Sequence, residues 1–346
     1  MRAKLFFGVV FLACAVMGVA GQVDRRLDVK IKAEQARAVL AILDKRAAGK
    51  RVTEADLREV FATEGYRRLK EREASLGRAF EDDAFRDFLS SNELIGRREE
   101  LRRTLRSWET LDARAAAQRS LAYLPEQAVI RASIYPVIKP RDNSFVFDLK
   151  NDPAIFLYLD PAITPEQFEN TLAHELHHVG FGTACPAPET TADLEKMPEG
   201  KWIAIGWLSA FGEGLAMLAA AGGPEVHPHL HSKAEDRTRW DRDVANFDRD
   251  LRLIEAFLGE ILDGKLDETA ARQRGLEFFG VQGPWYTVGW RMSATIEKEL
   301  GRKRLIEAFC DTRSLIGTYN EAALKHNSRT GDDLASWSEK VAELAN

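Results

Sequence analysis

Thr171-Leu172-Ala173-His174-Glu175-Leu176-His177-His178-Val179 is the stretch from which the fold of this chain is read. It contains His-Glu-x-x-His, formed by His174, Glu175 and His178. On a helix, residues four apart lie on one face, one turn above the other, so His174 and His178 can reach one metal ion. Glu175 is the next residue along the turn and can face water held by that metal. This is the arrangement of zinc-dependent hydrolysis: two ligands from one helix, a carboxylate as general base and an open coordination position. With 7 His in 346 residues, chance matches are expected on the order of 0.01 times.

The flanks supply the helix that the motif needs. Thr164 reads as N-cap, Pro165 as the first helical residue, and Gln167 as the partner that completes a capping box. Phe168, Leu172, Leu176 and Val179 recur at helical spacing, and Gly180 with Gly182 is expected to end the helix, giving an active-site helix over 165–180.

Upstream, the chain opens with Arg2 and Lys4, then an uncharged stretch from Leu5 to Ala20 with small Gly18 and Ala20 before the expected cleavage point. Residues 1–20 therefore read as a signal peptide, which implies export to a periplasmic or extracellular setting without stable membrane insertion after cleavage. Lipoprotein anchoring through Cys14 is the weaker alternative, because the apolar run continues past the cysteine. No later segment is expected to cross a bilayer. Of the 49 basic side chains, Arg2 and Lys4 go with the leader; against 54 acidic ones the remainder carries −7. That mildly acidic balance argues against nucleic acid as a partner. Cys185 and Cys310 remain, and they could pair or stay as two free thiols.

Residues 21–124 read as a charged helical lobe, with Val39, Ile42 and Leu43, then Leu57, Val60 and Phe61, as apolar stripes. The period changes after Pro125. Val129–Ile138, Ser144–Asp148 and Ile155–Leu159 are strand candidates, so a short sheet over 128–159 is expected to pack on the metal helix. A free edge of that sheet could bind an extended peptide.

Downstream of a Pro-rich loop, a helix over 202–221 is apolar almost all round and should be buried. Between Lys201 and Glu225 its only charged side chain is Glu213. A lone buried carboxylate is costly unless paired or bound to a metal, which makes Glu213 the candidate third ligand. Glu189, Asp193 and Glu195 are nearer competitors in polar surroundings, and His227, His229 and His231 could supply a ligand or a separate weak site. His177 points off another side of the helix, toward packing or substrate. Helices are expected over 235–264 and after Gly283-Pro284, where Tyr286 could offer a phenol to an oxyanion. Gly289 and Ser293 suggest close approach of another helix there. The last ~40 residues read as more helix, with Leu324, Leu334 and Trp337 in the core. The region 125–346 is thus one catalytic region, and the fold class is α+β, mostly helical.

His174-Glu175-Leu176-His177-His178 followed by Glu213-Gly214 on a second helix resembles the gluzincin zinc metallopeptidases. The helical N-terminal lobe, Glu-Gly-x-Ala and the later Tyr-x-x-Gly helix are similar to bacterial zinc-dependent peptidases of unknown function. The resemblance covers roughly residues 125 to 310 in layout. It implies a zincin-like core, one Zn²⁺ ion held by His174, His178 and Glu213, Glu175 as general base, and hydrolysis of a peptide or protein substrate. The 35 positions from His178 to Glu213 depart from the interval of about twenty in the best-known gluzincins. Two other readings fit the same residues: a zinc- or substrate-binding protein on a zincin scaffold with little turnover, and a zinc hydrolase of non-peptide amides.

Overall fold

The computed structural model describes residues 24–185 and 197–345. The expected signal peptide, Cys14, Glu189, Asp193 and Glu195 lie outside the described residues.

A four-stranded mixed sheet forms the base of the molecule, in the order β1-β2-β4-β3. Strands β1 (Leu27–Ile31), β2 (Ile130–Val137) and β4 (Ala154–Tyr158) run parallel, and β3 (Phe145–Phe147) pairs antiparallel with β4 at one edge. The first strand lies inside the segment expected to be purely helical. Its Leu-Asp-Val-Lys-Ile sequence alternates apolar and charged residues, a strand period too short to stand out beside the long charged helices.

Helices α1 (Glu34–Ala47), α2 (Glu54–Ala62), α3 (Glu64–Ser75), α4 (Asp82–Phe88), α5 (Asn92–Glu109) and α6 (Ala113–Leu121) fill the N-terminal part. Their buried faces share one apolar core with the sheet and with α7 (Pro165–Ala184), so the division expected after residue 124 is not where the core divides. A second core begins downstream. It is built from α8 (Glu199–Leu208), α9 (Gly212–Ala221), α10 (Ala234–Ala245), α11 (Phe247–Leu262), α12 (Glu268–Glu277), α13 (Pro284–Leu300), α14 (Arg302–Cys310) and α15 (Thr312–Thr330), closed by the short α16 (Glu339–Ala342).

Several expected boundaries move. Helix α7 does not stop at Gly180. A Cβ there would meet Leu124 Cδ1 at 2.3 Å, so that glycine serves close packing, and neither it nor Gly182 adopts the positive φ of a glycine stop. The helix expected over 202–221 is two helices joined by a 3₁₀ turn at Ser209–Phe211. Together they span Glu199–Ala221 and do reach the length and apolarity of a membrane span, but 67% of the apolar window is buried in the fold, which accounts for its composition. The charged helix over 235–264 breaks at Asn246. Leu324, expected in the core, is exposed, and the chain from Gly331 to Ser338 is non-helical although Trp337 is buried.

What fixes α7 in place is legible locally. Thr164 accepts from the Gln167 amide while the Gln167 side chain accepts from the Thr164 amide, and Pro165 occupies the first turn. This cap contributes about 1 kcal/mol. Leu172 and Leu176 are fully buried and each contributes about 2–3 kcal/mol by leaving water. Trp108 stacks on Phe168 at 4.2 Å, and the Ser120 hydroxyl donates at 2.6 Å to the carbonyl of Ala173, the residue before His174. At the other end, Cys185, the residue after α7, is disulfide-bonded to Cys310 at the end of α14.

Candidate metal centre

On α7, His174 and His178 present their Nε2 atoms to the same point, 3.0 Å apart. The third group comes from the second core. Glu213, in the first turn of α9, places Oε2 3.1 Å from His174 Nε2 and 3.4 Å from His178 Nε2. The sequence interval between the pair and the glutamate is bridged because α9 lies alongside α7. That proximity requires α9 to be pinned from behind as well. A Cβ on Gly214 would meet the backbone nitrogen of Trp290 at 2.0 Å, and one on Gly289 would meet the Phe211 carbonyl oxygen at 2.5 Å. Helices α9 and α13 therefore cross backbone to backbone, and glycine is required on both sides.

Do these three groups suit a metal? In a tetrahedral zinc site with bonds of about 2.0–2.2 Å, neighbouring donor atoms stand about 3.3 Å apart. Edges of 3.0, 3.1 and 3.4 Å match that spacing. Two imidazole nitrogens and one carboxylate oxygen are also the donor set zinc takes. The triangle is half-buried: the side chains of His174, His178 and Glu213 retain 12, 25 and 22% exposure, so the face toward the cleft is open to water and substrate. Glu213 is thus less enclosed than its apolar helix suggested. Burial raises the pKa of its carboxyl, but His178 and His174 more than reverse that and hold it below the ordinary carboxylate range. Among the described residues His174 Nδ1 is buried without a partner.

Of the triangle, His174 lines a cleft of about 870 Å³. Glu175 and Tyr286 line it beside His174. Tyr286, in the first turn of α13, stacks over His174 with ring centroids 6.3 Å apart. Burial, and then the charge of Glu213, push its phenol above the ordinary tyrosine value, so it stays a hydrogen-bond donor at neutral pH.

The other histidines are elsewhere. His177 is turned inward, 1% exposed, against Phe181, and burial with the two neighbouring imidazoles pushes its pKa down to about 3. It is a packing residue rather than a substrate contact. His227 pairs with Asp241 at 2.9 Å. His229, buried and bonded through Nδ1 to Ser232, and exposed His231 line the far wall of the cleft, and none of the three joins the triangle.

Sequence reading missed the remaining cleft residues, among them Asn143, Asn170, Arg239 and Gln282. Three of them are ordinary polar residues with no local mark. Gln282 has one in retrospect, since it holds φ 57°, a left-handed backbone uncommon outside glycine, between Gly280 and Gly283. A family model described as "Putative zinc dependent peptidase (DUF5700)" matches residues 57–328. No curated protein and no solved structure matches the chain.

Proposed function

The chain belongs to that family, which is described as zinc dependent and peptidase-like, and on this premise we propose that it is an exported peptidase that hydrolyses peptide bonds with one zinc ion. The observation that supports this most is the convergence of His174 Nε2, His178 Nε2 and Glu213 Oε2 on one point, with His174 lining a cleft that also holds Glu175. His174, His178 and Glu213 would hold the ion. When bound, zinc lowers the pKa of coordinated water and polarises a carbonyl.

The residues of the chain supply the rest. Glu175 takes the proton of the attacking water and passes it to the leaving nitrogen as the C–N bond breaks and the new C–O bond forms, giving a carboxylic acid and an amine. Tyr286 donates its phenolic hydrogen bond to the carbonyl oxygen as negative charge develops there. Export is supported by the signal-like residues 1–20 and by the Cys185–Cys310 disulfide, which belongs to an oxidising compartment.

The test is metal analysis combined with digestion of a peptide library read by mass spectrometry. Purified protein is expected to contain one zinc per chain and to cleave. Glu175→Gln is expected to keep the zinc and lose cleavage by about 10²-fold or more. A fully active Glu175→Gln protein removes the base assignment. Zinc without any cleavage by the parent turns the assignment to a binding protein.

A further inference from the structure

The loop between β2 and β3 is held by a lysine in an unusual position. Lys139 is 3% exposed, although it sits at the end of a strand beside solvent-exposed Arg141, Asp142, Asn143 and Ser144. Its ammonium bonds the Arg141 carbonyl and, at 2.8 Å, Asn143 Oδ1. The rings of Phe145 and Tyr158 lie 5.6 and 5.7 Å from it. At the other end of the loop, the Ser144 hydroxyl accepts the Tyr158 amide at 3.1 Å. Burying an ammonium is unfavourable, and here burial pulls its pKa down to about 8. An exposed loop with no other task needs no such anchor.

The chemistry of the anchor fixes the orientation of Asn143. An ammonium has donors only, so the atom facing it must be the amide oxygen. The Nδ2 donors are then turned away, and among the described residues they reach no protein acceptor. Asn143 stands on the ridge between two cavities, one of about 160 Å³ floored by Leu69, Phe80 and Phe85, the other the cleft that contains His174, Glu175 and Tyr286.

We infer that Asn143 binds substrate, donating its amide N–H to a main-chain carbonyl of a peptide in the cleft, and that Lys139 is the positioning residue that sets its orientation. This rests on the peptidase reading, because the ligand is a peptide carbonyl. The donor is fixed before substrate arrives, so no side-chain freedom is lost in making the bond. The arrangement also specifies chemistry: an acceptor in place of Nδ2 would repel the carbonyl.

Binding without turnover tests this. Zinc-loaded Glu175→Gln protein is incubated with a tryptic digest of casein, retained peptides are identified by mass spectrometry, and the affinity of the tightest is measured by calorimetry. On this background Asn143→Asp is expected to weaken binding tenfold or more with an unchanged melting temperature, since a carboxylate accepts from Lys139 equally well but cannot donate. Asn143→Ala should weaken it about five- to tenfold. Lys139→Met should weaken it similarly, and adding Asn143→Ala to that variant should cost nothing further, as expected for two residues acting as one unit. If Lys139→Met does not fold, the exposed Asn143 variants decide alone. Parent-like binding by Asn143→Asp overturns the inference and leaves the peptidase reading intact. Retention of no peptide by the Glu175→Gln protein overturns both.

Discussion

Substituting Gly214 by alanine tests the helix crossing that holds Glu213, the proposed third ligand, in place. The added Cβ would sit 2.0 Å from the Trp290 nitrogen, 2.2 Å from the Gly289 carbonyl carbon and 2.6 Å from its Cα. Non-bonded carbon contacts are comfortable at about 3.5–4.0 Å. The obstruction is backbone, so no side chain can swing aside, and α9 and α13 must separate by about 1.5 Å. Overpacking of a core costs typically 1–3 kcal/mol. A backbone clash of this depth belongs at the upper end, about 3 kcal/mol, or a melting temperature lower by roughly 5–10 °C. The shift also carries Glu213 away from imidazoles now 3.1 and 3.4 Å distant, so zinc affinity should fall about 10–100-fold, as when the support of a ligand is lost. Calorimetric melting and competitive zinc titration against a chelator read the two effects. Gly212→Ala is the internal control: it lies on the same helix, its Cβ would meet nothing within 4 Å, and it should be neutral or stabilising by up to about 1 kcal/mol. A Gly214→Ala protein with parental melting and parental zinc affinity would refute the crossing, and with it the reason Glu213 reaches α7.

Glu213→Gln keeps the shape of the side chain and removes its charge; zinc affinity should fall at least about hundredfold, and unchanged affinity would mean that the third ligand is another residue. Cys310→Ser opens a cross-link between residues 125 positions apart; the loss should be about 2–5 kcal/mol, read as a lower denaturant midpoint without reductant, and parental stability would argue that the bond does not form. Lys139 gives a pH signature. Its pKa is about 8 when folded against an ordinary 10.5, so between those values the unfolded chain binds a proton that the folded chain has released. Stability from this group therefore rises with pH across that window, by about 3 kcal/mol in full. The difference in unfolding free energy between parent and Lys139→Met, measured from pH 7 to 10.5, should show that rise, and a flat difference would contradict the burial of the charge.

The motif helix was readable because its determinants are local. The cap formed by Thr164, Pro165 and Gln167, the apolar recurrence and the placement of His174, Glu175 and His178 on one face all follow from the geometry of a single helix. Glu213 was readable for a different reason: a lone carboxylate in an apolar segment needs a partner whatever the fold. Three other features had no such mark. The first strand was hidden because five residues of alternation acquire meaning only when Ile130–Val137 lies beside them. Gly180 looked like a stop, because only its neighbours Leu124 and Ile130 show that it is a packing contact inside the helix. Asn143 was one polar loop residue among several until the buried ammonium of Lys139 fixed which end of its amide faces the lysine.

Sequence alone therefore determined the chemistry, meaning which donor atoms are offered and on which helix face, because side-chain type and helical period are properties of adjacent residues. Tertiary structure decided the distances. The approach of α9 to α13 to a few ångströms depends on glycines at 214 and 289, whose missing Cβ atoms matter only when two distant helices meet.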